Sequence, residues 1–319
     1  MIGMSRGMLV AGSAVAVAVL VGCLAGPFAQ RVGQADAAQP APSISDLAYA
    51  PMSGAEVLDV WLPPAAPQPY PLVIFVHGGG WSRGDKRDVS PKVMPLLQRG
   101  FAVATVNYRL SAERHFPAAA QGVKAAVRYL RAHAPAHGID PDRFAVWGES
   151  AGANMAALLG TTGTQRTIFD DPALGYGATS ASVQAVVEWY GPIDLARREA
   201  QYRAGGSDCR TPQLAEADGF TTGYLGADVD RVPQEADAAN PVSYLRQAGG
   251  LPPFSIAHGS ADCLVPVAQA QQLAGALRAG GDRVDLHLLP GAVHADPRFD
   301  RELLAPTIGW LAVTLGHGA

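Results

Sequence analysis

The feature that most constrains the fold is a series of short, unbroken apolar runs that end in glycine or turn residues. LVIFV (72–76), FAVATV (101–106) and RFAVW (143–147) show no polar face, so as strands they must be covered on both sides. Helical patterns lie between and after them. Residues 117–133 open with Pro117 at a first-turn position and carry Val123, Ala126, Val127 and Leu130 at helical spacing. The rhythm continues with a helix from about Ser150 to Leu159, strands at 183–190 (VQAVVEWY) and 253–258 (PFSIAH), a helix near 266–279, a strand at 284–289 (VDLHLL) and a last helix near 299–315. Residues 56–62 (EVLDVWL) alternate and read as an early, partly exposed strand. Alternating strands and helices predict an α/β fold with a mostly parallel central sheet and helices on both faces. Residues 194–240 break the pattern, being polar, Gly-rich and irregular, and read as a small cap insertion.

Arg6 precedes an apolar, small-residue stretch from Met8 to Gly26, and polar, Pro-rich sequence follows to about Pro42. That is the layout of a signal peptide. Ala35-Asp36-Ala37 offers an A-x-A cleavage site, which makes 1–37 the leader, 38–44 a linker and 45–319 the folded domain. Leu20-Val21-Gly22-Cys23 has the form of a lipobox, which would instead leave a lipidated Cys23 anchored in a membrane. A third reading is an uncleaved anchor. Both cleavage routes predict an exported protein, secreted or held at the cell envelope. They also leave Cys209 and Cys263 as the mature thiols, which export allows to pair as a disulfide.

Composition narrows the partners. Lys and Arg number 24 against 28 Asp and Glu, and the basic residues form no run, so the footprint of a nucleic-acid binder is missing. A small neutral substrate fits better. No HExxH or comparable ligand spacing appears, and neither a metal nor a cofactor is expected.

Gly148-Glu149-Ser150-Ala151-Gly152 follows the strand RFAVW directly and opens a helix. With 36 glycines in the chain, GxSxG alone is a weak signal. The strand–turn–helix context gives it force, because a nucleophile elbow needs glycines around a strained turn that lifts the serine hydroxyl above the sheet edge. His77-Gly78-Gly79-Gly80-Trp81 sits at the end of LVIFV. Its glycines let backbone N–H groups approach a substrate, so two of the three are predicted to join Ala151 in an oxyanion hole. A phosphate-binding loop would want a Lys-Ser/Thr ending or a dinucleotide fingerprint, and neither is present.

An activated serine needs a base and an orienting acid. Of the eight histidines, His294 follows the last strand and precedes the last helix, which is where such a sheet delivers its histidine. His77 belongs to the glycine loop, His115, His133 and His137 flank the 117–133 helix, His317 lies in the tail, and His258 and His287 read as core or strand residues. Asp262 follows PFSIAH and completes the chain order Ser, Asp, His. Asp194 in YGPIDL is the runner-up for the acid.

From about residue 45 onward the chain resembles the HGGG-type bacterial carboxylesterases, the esterase/lipase group near hormone-sensitive lipase, and most closely its branch of feruloyl- and acetyl-ester hydrolases. The strings that carry the resemblance are HGGGW, VNYRLS, FPAAAQGVKAAVRYLR, GIDPDRFAVWGESAG, YGPIDL, HGSADCLVP and GAVH. It implies the α/β-hydrolase fold and a serine carboxylic-ester hydrolase that works through an acyl-enzyme on short-chain or aromatic (acetyl/feruloyl-type) esters. It assigns Ser150, Asp262 and His294 as the triad and Gly78, Gly79 and Ala151 as oxyanion donors. Two departures stand out. Gly122 replaces an acidic residue, which would leave Arg109 without its usual partner, and Ala153-Asn154 replaces a Gly-His pair. The long N-terminal helical cap is missing, so the site should be more open. Glu149, Trp81, Trp189 and Tyr190 are expected near the site, lining it or packing around it. Two other functions suit the same residues: an arylformamidase-like amidase and a non-catalytic binding protein of hydrolase fold.

Overall fold

The computed structural model describes residues 40–317 except 90, 206–208, 210, 248 and 249. The leader, both cleavage sites and Cys23 lie outside the described residues.

Eight strands form one sheet in the order β1-β2-β4-β3-β5-β6-β7-β8. They are β1 (Ile44–Ala48), β2 (Val57–Trp61), β3 (Tyr70–Val76), β4 (Ala102–Val106), β5 (Ile139–Glu149), β6 (Ala185–Trp189), β7 (Phe254–Gly259) and β8 (Val284–Leu289). β1 and β2 pair antiparallel, and every pairing from β4 to β8 is parallel. Among the described residues the α-helices are α1 (Val93–Gln98), α2 (Ala118–His133), α3 (Ala151–Thr162), α4 (Arg198–Gly205), α5 (Thr211–Leu225), α6 (Pro233–Ala238), α7 (Ala268–Ala279) and α8 (Leu304–Thr314).

The apolar runs behave as their composition requires. All of β3, β4 and β6 is buried, and alternate residues feed two separate cores. Leu72, Ile74 and Val76 join the core under α2, α3 and α7, while Val73 and Phe75 join the one under α1 and α8. β1 begins within the stretch read as a linker: Trp61 Nε1 donates to Pro40 O at 2.8 Å and the Leu62 amide to Ser43 Oγ at 3.0 Å, so this segment lies along β2.

Two features differ from the sequence reading. The stretch 194–240 is not irregular but holds α4, α5 and α6. Its helices went unseen because Gly205, Gly219 and Gly223 and scattered polar residues blur any apolar stripe. Arg109 is not left alone either. It pairs with the fully buried Glu56, Nε to Oε1 3.0 Å. Gly122 is where Tyr49 fits: a Cβ there would stand 3.0 Å from the Tyr49 hydroxyl, which donates to Asn107 O.

Candidate active site

The predicted site residues meet at the carboxyl edge of the sheet, where loops after parallel strands converge. Ser150 sits between β5 and α3 with φ 53° and ψ −121°, a strained conformation for a residue with a Cβ. Both flanking glycines are forced by close approach. A Cβ on Gly148 would strike Gly152 O and Ala153 Cα, and one on Gly152 would strike the carbonyls of Val76 and His77 at the end of β3. The elbow is thus wedged against the neighbouring strand, and Ser150 has no slack in which to turn away.

Ser150 Oγ donates to His294 Nε2 at 2.9 Å, and His294 Nδ1 donates to Asp262 Oδ2 at 2.7 Å. An ionised carboxylate only accepts, so Asp262 fixes the tautomer that leaves Nε2 free to accept from serine. The other oxygen, Asp262 Oδ1, accepts from the amides of Leu264 and Val265, both at 2.8 Å. Burial by itself would raise the pKa of this carboxyl. The charge of His294 and the hydrogen bonds from His258 and His294 outweigh it and hold Asp262 well below the ordinary carboxylate range. Tyr190, itself at φ 45°, sets its ring edge-on to His294 at 5.0 Å. With Trp81 (φ 56°) and Ala295 (φ 53°), four non-glycine residues of positive φ gather at this edge.

Asp194 is not brought to His294. Its Oδ1 accepts from the Arg197 amide at 3.1 Å and its Oδ2 from Gln272 Nε2 at 2.9 Å, so it caps the turn before α4.

The glycine loop packs against the elbow. A Cβ on Gly78 would lie 3.2 Å from Ser150 Cβ, so only a bare backbone fits there, and Gly79 turns at φ 106°. Ala151 opens α3, and the first amides of a helix have no partner within it. Backbone N–H groups from two segments therefore flank the Ser150 hydroxyl. His77 holds the loop from behind: Nδ1 donates to Gly78 O at 2.8 Å, while Tyr108 stacks on the ring at 4.3 Å and donates to His77 O at 2.9 Å. Burial pulls the His77 pKa down, which favours the neutral ring.

Several supporting residues carried no sequence signal. Lys92, almost fully buried, lies 2.8 Å from Glu149 Oε1 and 2.7 Å from Asp300 Oδ1, tying the elbow to the segment before α8. Gln269 Oε1 accepts from the amides of Ile193 and Asp194, both at 2.6 Å. Glu188 and His258 are wholly buried beside the site. Each is a lone polar residue inside an apolar run, and periodicity has nothing to say about such positions. Trp189, expected near the site, belongs to the core beneath it.

α5 covers the glycine loop. Trp81 stacks on Tyr224 at 4.1 Å, and Phe220 fills the space a Cβ on Gly80 would need. A disulfide joins Cys209, at the start of this cover, to Cys263, next to Asp262.

The family model described as BD-FAE matches residues 58–277. Among curated proteins, esterase LipQ of Mycobacterium tuberculosis is 34% identical over 264 residues, which is 80% of this chain and 58% of LipQ. Esterase LipC of the same organism is 32% identical over 82% of this chain and 62% of its own length. The chain thus spans about 60% of the length of these relatives. Among solved structures, a truncated carbohydrate esterase from gut microbiota superposes with TM-score 0.73 and 28% identity, over 85% of this chain and 95% of that one. A bifunctional GH43-CE protein of Bacteroides eggerthii gives 0.74 and 29%, over 85% and 35%. With a match across well over half its length, on an eight-stranded sheet that carries the expected residues at its carboxyl edge, the chain belongs to the BD-FAE family of α/β-hydrolases.

Proposed function

We propose that the protein is a serine carboxylic-ester hydrolase that works through an acyl-enzyme, with Ser150 as nucleophile, His294 as general base and Asp262 as the acid that orients it. The observation that carries this reading is the unbroken relay from Ser150 Oγ through His294 to Asp262, at 2.9 and 2.7 Å. His294 Nε2 takes the serine proton as Oγ attacks the ester carbonyl. The carbonyl oxygen gains the charge and is held by the amides of Gly78, Gly79 and Ala151. His294 then returns the proton to the departing alcohol, leaving Ser150 acylated, and a water activated by the same nitrogen releases the acid. Asp262 stays ionised throughout, because its pKa is depressed far below the working pH.

Esterase names on the mycobacterial relatives and carbohydrate-esterase names on the structural neighbours support ester over amide substrates. The substrate class is a short acyl or aromatic ester, acetyl or feruloyl in type. Export belongs to the same reading: the Cys209–Cys263 bond suits an oxidising compartment. Hydrolysis of a p-nitrophenyl ester series from acetate to laurate, run beside N-formyl aromatic amides, tests the activity. A short-acyl preference with no amide turnover is expected, and the reverse preference overturns the ester reading. Intact-mass analysis of the native product tests export. A start at Ala38 or a lipidated Cys23 agrees with it, and a cytoplasmic protein that keeps Met1 contradicts it.

A further inference from the structure

β6 and β7 place two polar side chains in a core that aliphatic residues would fill at lower cost. Glu188 pairs in register with Ile256, and His258, two residues on, projects to the same face, so the two are diagonal neighbours. Both are fully buried. Glu188 Oε1 accepts from the Gly191 amide at 2.5 Å, while Glu188 Oε2 and His258 Nδ1 have no hydrogen-bond partner among the described residues. A buried carboxylate and imidazole left this incomplete are costly. The proton path from Ser150 through His294 to Asp262 does not pass through either of them.

Their orientation shows what they serve. His258 Nε2 lies 2.9 Å from Val265 O, and a carbonyl can only accept, so this nitrogen carries a hydrogen. The same N–H stands 3.4 Å from Asp262 Oδ2, the atom that receives His294 Nδ1–H. Oδ2 therefore lies between two imidazoles. Val265 also supplies one of the two amides on Asp262 Oδ1, so His258 grips the backbone of the turn that holds the other oxygen. Glu188 behind it favours the protonated ring: burial would lower the His258 pKa, but Asp262 and Glu188 together raise it.

We propose that His258 is a positioning residue for Asp262, clamping Oδ2 and the 262–265 turn so that the carboxylate stays in line with His294, with Glu188 packed behind it. This rests on the serine-hydrolase reading, and a fluorophosphonate label on wild-type Ser150 checks that reading separately. The test compares His258→Phe with His258→Gln, whose amide nitrogen reaches about as far as Nε2, on a p-nitrophenyl ester. His258→Phe should lower kcat on the order of tenfold with KM within about twofold, since a small misplacement of an orienting group costs rate rather than binding. The low-field proton resonance of His294 Nδ1 should move upfield or vanish. His258→Gln should recover both to within about threefold. Where His258→Phe does not fold, His258→Asn takes its place, because its shorter amide falls short of Val265 O and should show the same loss. Unchanged kcat and an unchanged His294 resonance in a folded Phe or Asn variant overturn the proposal, as does a Gln variant no better than either.

Discussion

Trp81 and Tyr224 stack face to face, ring centroids 4.1 Å apart and planes 5° from parallel, and this pair fastens the α5 cover to the loop beside Ser150. Phe116 meets Tyr224 edge-on at 5.4 Å, and Phe220, one turn earlier on α5, lies under the Arg83 guanidinium at 4.9 Å. Polar contacts add to these rings: the Phe116 amide donates to Tyr224 O at 2.7 Å, His115 Nδ1 donates to Gly223 O at 2.8 Å, and Arg83 lies 3.4 Å from Glu216 Oε1.

Tyr224→Ala should accordingly cost about 3 kcal/mol of stability, in the range for removing a buried ring, and should raise KM by loosening the glycine loop. The Tyr224 hydroxyl is buried without a hydrogen-bond partner among the described residues, so Tyr224→Phe should be neutral or stabilising. Urea melts of both variants, with ester kinetics, check this. A large loss in Tyr224→Phe would mean that the hydroxyl, not the stack, fastens the cover.

The Cys209–Cys263 bond closes a loop of 54 residues and adjoins the acid. Reduction, or Cys209→Ser with Cys263→Ser, should lower stability by about 4 kcal/mol in the chain-entropy account. It should also lower kcat severalfold by freeing the turn after Asp262. Thermal melts and kinetics with and without reductant separate the two effects. Full kcat in the reduced protein would leave only the stabilising role.

Burial raises the Glu188 pKa from 4.5 to about 7. A carboxyl whose folded pKa lies above its unfolded one favours folding fully below the unfolded value and loses that advantage as pH rises through the folded value. Glu188 should therefore take away about 3 kcal/mol between pH 4.5 and pH 7, and Glu188→Gln should flatten the stability profile across that window. Denaturant midpoints at half-unit pH steps decide it, and an unchanged slope would mean that Glu188 is already ionised at the lower end.

How far the site could be read ahead of the structure depended on whether its residues sat in a pattern. Ser150 and Asp262 each follow a buried strand and His294 follows the half-exposed alternating strand β8, so their order and their edge of the sheet were legible. Supporting residues such as Lys92, Gln269, Glu188 and His258 were not. Lys92 lies before a six-residue helix with no signal of its own, Glu188 is a single polar letter within the apolar β6, and His258 shares β7 with Ser255 and reads only as a strand residue. The partner that replaces an acid at Gly122 was not legible because the constraint is spatial: Tyr49 occupies the room an acid would take, and Glu56, far away in sequence, serves Arg109 instead.

The acid assignment makes a ranked prediction. Asp262→Asn should lower kcat on the order of 10⁴-fold, because an amide can donate to Nδ1 and favour the wrong His294 tautomer. Asp194→Asn, which touches the turn before α4 and Gln272 on α7 but not His294, should stay within a fewfold of wild type. Parallel kinetics on one ester settle the ranking, and its reversal would move the acid to Asp194.

The central claim is that the Ser150 hydroxyl performs the chemistry. Turnover of p-nitrophenyl acetate by Ser150→Ala, in protein purified away from any wild-type enzyme and shown by circular dichroism to be folded, tests it most directly. The relay predicts a loss on the order of 10⁴-fold or more, since its members act as a unit. Retention of more than a few per cent of wild-type activity would contradict it.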